Sequence, residues 1–196
     1  MQHNTNSVWS ALSKFYHWTI AICFLISSGI ACYLFALDRF TSEADERAFL
    51  SVIFWHKSFG ALVFFLAFFS IYWRMKNRPP ELPERLPGWQ HKATDIMHWL
   101  LFAMMIIVPV TGLIGTEIGN YKFSFFYLFD IPHFYPADKE LADIPYAIHI
   151  YIVWVAAVLL LIHIGASLLH HFYYRDNILR RMLPAMLVMQ DVQDQD

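Results

Sequence analysis

Four histidines stand where side chains are otherwise apolar. They are His17 in FYHW, His56 in FWHKSFG, and His149 and His163 in AIHIYIVWVAAVLLLIH. An ionisable group in such surroundings is costly and marks function by default. A neutral imidazole offers one lone pair to a metal and one N–H to a fixed acceptor. The open chemistries are therefore metal or haem ligation, proton relay, and plain hydrogen bonding. His149 and His163 lie fourteen residues apart. On a helix that spacing leaves them only about 40° apart in direction and about 21 Å apart along the axis.

The elements that carry these residues are set by composition. The 196 residues are 58% hydrophobic and 15% charged, with a mean hydropathy of +0.41, well below the roughly one quarter charged of a soluble domain. Four runs reach the roughly 20 apolar residues that cross a bilayer: 16–37, 52–73, 96–116 and 147–169. The third holds Pro109, Gly112 and Gly115, where a helix can kink or pack closely. The chain is thus expected to be all-α, an integral membrane four-helix bundle over 1–184, with an acidic C-terminal tail at 185–196. The lipid bilayer is its first partner, and no nucleic-acid partner is expected. Residues 1–13 are polar and the following run is long, so no cleavable signal peptide is expected. Cys23 and Cys32, nine apart in one apolar run, fit neither a metal pair nor a disulfide framework and are read as buried small hydrophobes.

Loop charge orients the spans. Lys14, Arg74, Lys76, Arg78, Arg85, Lys92, Arg175, Arg180 and Arg181 fall on one side, against Arg39, Arg47, Lys57, Lys122 and Lys139 on the other. Positive charge stays inside, so both termini are expected in the cytoplasm. The third loop, 117–146, is long and aromatic, and is expected to fold as a cap or a short surface helix.

In that topology His17 and His163 share the inner depth, and His56 and His149 the outer one. Two imidazoles facing each other across a bundle core are the axial ligands of a six-coordinate haem. The expectation is two haems b, with irons held by His17 and His163 (inner) and by His56 and His149 (outer). No CxxCH occurs, which excludes covalent c-type attachment. Gly60, Gly165 and Ser167 leave room beside the ligands for a porphyrin. A zinc site needs a third ligand such as Cys, Asp or Glu, and none sits at these depths. His170, on the stripe of His163, is read as a quinone or proton-relay residue, or as an interfacial histidine. His98, at the inner start of the third span, is equally open. His171 is read as interfacial, and His3, His91 and His133 as solvated loop residues.

The motifs FYHW at 15–18, FWHKSFG at 54–60, the spacing of His149 and His163, and HHFYYRDNILRRMLP at 170–184 resemble the bacterial cytochrome b561 family. That family includes the cytochrome b subunits of hydrogenases and formate dehydrogenases. The resemblance covers about residues 10–184. It implies a dihaem cytochrome b of the bacterial inner membrane with the same four ligands. It further implies electron transfer between an outer-face donor and a membrane quinone, as in a superoxide oxidase that passes electrons from superoxide to ubiquinone, with the quinone near His170. The outer loops are net acidic, which suits a basic periplasmic donor such as a soluble cytochrome c. Two rival readings are a membrane-anchor relay subunit of a hydrogenase or dehydrogenase, and a haem-free histidine transporter or sensor.

Overall fold

A computed structural model describes residues 3–5, 8–36, 43–83 and 86–184. Leu37 at the end of the first run, Asp38, Arg39 and Arg85 in the loops, and the acidic tail at 185–196 lie outside the described residues. Four long helices dominate: α1 (Ala11–Ala36), α2 (Glu43–Lys76), α3 (Gly88–Ile118) and α4 (Lys139–Phe172), with a short α5 (Ile178–Met182) at the end. All four are long and apolar enough to cross a membrane, as a membrane-spanning bundle requires. Each starts before the apolar run that announced it, and polar caps open two of them. Ser10 Oγ accepts the Ser13 amide at 3.2 Å to open α1, and Asp138 Oδ1 accepts the Leu141 amide at 2.9 Å to open α4.

Side chains that would be a soluble protein's core face outward here, among them Phe68, Phe69, Tyr72, Trp154 and Leu161. The buried positions are held by small residues such as Ala61, Ala67, Ala156, Ser27 and Ser58. That inversion is what lipid selects: apolar surface outside, and close approach through small residues within. Both cysteines are free; Cys23 is buried as expected, but Cys32 is exposed on α1.

The chain divides into two compact units. One comprises Met1–Trp18, Phe69–Ala103 and Val155–Asp196; the other comprises Thr19–Phe68 and Met104–Trp154. In the second unit the aromatic loop folds as an antiparallel hairpin, β1 (Phe123–Phe125) with β2 (Phe129–Ile131), in the register Phe123↔Ile131. Of the two expected forms it is the folded cap. Its turn takes φ 48° at Phe126 and 58° at Tyr127, values that usually call for Asn or Gly. Packing holds it there: Tyr127 stacks on Phe54 at 3.9 Å, and Phe126 meets Phe59 edge-on at 5.3 Å. Ser58 Oγ, fully buried, accepts the Phe126 amide at 3.2 Å and donates to the Ser124 carbonyl at 3.4 Å. Ser58→Ala removes the acceptor of a part-buried amide, so the hairpin is expected to weaken by about 1 kcal/mol. Faster hydrogen exchange confined to 123–131 is the expected measurement.

Candidate cofactor sites

In the second unit His56 projects from α2 and His149 from α4, with ring centroids 6.1 Å apart and planes at 88°. Each ring is fixed from behind. His56 Nδ1–H donates to the Ser27 carbonyl of α1 at 3.0 Å. His149 Nδ1–H donates to the Val108 carbonyl of α3 at 2.9 Å. A carbonyl can only accept, so Nδ1 carries the proton in both rings and Nε2 keeps its lone pair. That arrangement, with the second nitrogen bonded to a backbone carbonyl, is the usual setting of a metal-ligating imidazole. Hydroxyls stand beside both bonds: Ser27 Oγ lies 3.1 Å from His56 Nδ1 and Thr111 Oγ1 3.1 Å from His149 Nδ1. Gly112 explains how α3 comes so near, since a Cβ there would lie 3.2 Å from His149 Cε1 and 3.3 Å from Nδ1.

In the first unit His17 of α1 and His163 of α4 have centroids 6.3 Å apart. A third ring joins them: His98 of α3 lies 5.6 Å from His163, at 67°. Its Nδ1 is buried with no hydrogen-bond partner among the described residues. Sequence reasoning left His98 undecided. Its position ten residues into α3, at the same end as His17 in α1, was the signal that places it here.

The separations discriminate among these rings. A metal bonded at about 2 Å to two opposed imidazole nitrogens, each about 1.15 Å from its ring centre, separates the centres by about 6.3 Å. The 6.3 and 6.1 Å pairs match this span, whereas His98 and His163 at 5.6 Å are too close. Among the described residues no group of three or more His, Cys, Asp or Glu could hold a metal ion, so opposed imidazole pairs are the arrangement on offer. The flanking glycines leave space for a flat group: a Cβ at Gly165 would meet nothing within 4 Å, and one at Gly60 only Ser27 Oγ at 4.0 Å. These residues fit haem.

Other histidines have partners of their own. His3, exposed, stacks on Trp73 with centroids 6.0 Å apart and planes at 4°, and bonds to Asn77. His133 Nδ1 lies 3.0 Å from Glu117 Oε2, and Glu117 Oε1 accepts the Phe134 amide at 2.5 Å. This half-buried pair fastens the loop after the hairpin. His170 Nδ1 lies 2.6 Å from Asp176 Oδ2, a partner that sequence reasoning did not foresee.

A family model described as prokaryotic cytochrome b561 matches residues 8–185. The chain is 26% identical over 181 residues to cytochrome b561 homolog 2 of Escherichia coli, spanning 92% of this chain and 93% of that protein. It is 28% identical over 129 residues to cytochrome b561 homolog 1 of the same organism, spanning 66% of this chain and 73% of that protein. A Yersinia pestis protein named probable superoxide oxidase is 30% identical over 109 residues, covering 54% of this chain and 59% of that protein.

Proposed function

Because this chain belongs to the prokaryotic cytochrome b561 family, and is thereby a multi-pass membrane b-type cytochrome of electron transfer, we propose that it holds two haems b and carries electrons from an outer-face donor to a quinone. His17 and His163 are the ligands of one haem, and His56 and His149 of the other. The observation that carries this reading is the pair of imidazole separations, each the span of one iron. Loop charge supports cytoplasmic termini, which puts His56 and His149 on the outer side and His170 at the inner end.

Haem held by these residues would supply a one-electron carrier. The protein's part is to fix that geometry. The Ser27 and Val108 carbonyls hold the Nδ1 protons, which aims Nε2 and raises its basicity. The apolar spans keep water away, and α4 runs unbroken through His149, His163 and His170. The test is haem stoichiometry with the absorption spectrum of the purified chain. Two haems b per chain are expected, and one or none would overturn the reading.

Superoxide is the donor that the relative named probable superoxide oxidase supports, and a local cation supports it as well. Lys57 follows His56 directly; its Nζ donates to the Lys122 carbonyl at 3.3 Å and lies 5.9 Å over the Tyr121 ring. The neighbouring Lys122 is already paired with Asp130 at 3.2 Å. A positive group at the entry draws in an anion. Lys57→Glu is expected to slow haem reduction by superoxide about tenfold at low ionic strength, with haem content unchanged. With a basic cytochrome c as donor the same variant would instead react faster, so stopped-flow reduction decides between the two.

A further inference from the structure

The two ring pairs are held in different ways. His56 and His149 each give Nδ1–H to a backbone carbonyl, at 3.0 and 2.9 Å. Among the described residues no hydrogen bond holds the ring of His17 or of His163. What stands beside His163 is the ring of His98, set edge-on at 67°. Its Nδ1 is buried and has no hydrogen-bond partner among the described residues. A buried nitrogen left unmatched is costly, and such a group in a folded chain calls for a reason.

The ring separation supplies one. Two imidazoles joined by a hydrogen bond of about 2.7–3.2 Å, with each nitrogen about 1.15 Å from its ring centre, have centres about 5.0–5.5 Å apart. The centres of His98 and His163 lie 5.6 Å apart, at the edge of that range and short of the span of about 6.3 Å for a shared iron. The spacing suits a hydrogen bond between the two rings and not a metal. Both residues belong to the same compact unit. One turn before His98, Asp95 of α3 pairs with Arg74 of α2 at 3.6 Å, so the nearest carboxylate in α3 is engaged elsewhere.

We propose that His98 is a positioning residue whose Nδ1 accepts Nδ1–H of His163 when His163 gives Nε2 to iron; this rests on the dihaem reading above. A neutral imidazole has one nitrogen that accepts and one that donates, so His98 takes the tautomer with its proton on Nε2. His98 touches no iron and acts only through His163. An acceptor behind a metal-bound imidazole fixes the ring and raises its basicity. A more basic ligand favours the ferric over the ferrous state and lowers the potential. One haem is thus tuned by a side chain, and the other by the carbonyls of Ser27 and Val108.

The test is a redox titration of the full haem-loaded chain, followed by its absorption. His98→Ala is expected to keep two haems and to shift the equilibrium of one of them about tenfold toward the ferrous state, a rise of about 59 mV for one electron. The haem that shifts should be the one that His17→Ala and His163→Ala remove. His98→Gln, whose amide oxygen also accepts, should stay close to the unaltered midpoint. An unshifted midpoint in His98→Ala overturns the proposal, as do equal shifts in both haems or a glutamine variant that moves as far as the alanine one. Loss of a haem in His98→Ala would make His98 a ligand and overturns it too. A structure of the loaded, unaltered chain tests it without any variant. A nitrogen separation of about 3.2 Å or less between His98 and His163 is expected, and a different acceptor on His163 Nδ1 overturns the proposal. If the unaltered chain holds no haem between His17 and His163, the dihaem reading itself falls.

Discussion

His149→Ala should leave a chain that binds one haem instead of two, and the haem it loses should be the one that His56→Ala also loses. His17→Ala and His163→Ala should mirror this at the other site. The effect is large because a bis-imidazole site has no spare ligand: with one ring gone, one bond must do the work of two. Haem content per chain is expected to halve in each variant, and a redox titration should lose the same component within each pair. Depletion of one and the same component by His149→Ala and His163→Ala would overturn the assignment. His98→Ala provides the contrast. Its ring lies 5.6 Å from His163, too near to share an iron across the span of about 6.3 Å, so both haems should remain.

Gly112→Val should empty the His56–His149 site while sparing the His17–His163 one. A single added carbon at this position already lies 3.2 Å from the His149 ring, and valine adds two methyls that cannot turn away freely. The ring must move, and with it the Nδ1 bond to the Val108 carbonyl. Displacing an imidazole from its outer-shell partner costs about 10–100-fold in metal affinity, and displacing the ring itself costs more. Haem titration of the purified variant, with the His17–His163 component as internal reference, measures it. A His56–His149 site that fills normally would show that α3 can retreat from α4 here.

The pairing of His17 with His163 and of His56 with His149 was legible because helical rise and loop charge are properties of the chain in order. Fourteen residues between His149 and His163 fix a shared face and two depths before any packing is known. What the rings rest on was not legible. The acceptors for His56 and His149 are backbone carbonyls of Ser27 and Val108, and a carbonyl is present at every residue, so no side-chain type announces it. His98 was open for a related reason: its neighbour His163 lies on another helix, and the contact depends on how the two helices meet. The hairpin escaped because KFSFFYLFDI contains no Asn or Gly where the turn takes positive φ. Packing against Phe54 and Phe59 overrides the local preference. Asp176 was visible within HHFYYRDN, but its bond to His170 depends on the left-handed turn at Arg175.

The hairpin has a mechanical meaning besides. Tyr127, Leu128, Phe134 and Tyr135 point away from the protein, each about 70% exposed or more, while Ser58 and Phe54 tie the same loop to α2. Tyrosine rings such as those of Tyr127 and Tyr135 settle at the level of lipid headgroups. The loop therefore works as a float, pinned to a helix and unwilling either to sink into the acyl chains or to rise into water. A bilayer that thins or thickens will shift this end of α2 with its headgroups, and His56 will ride at a constant depth below the surface.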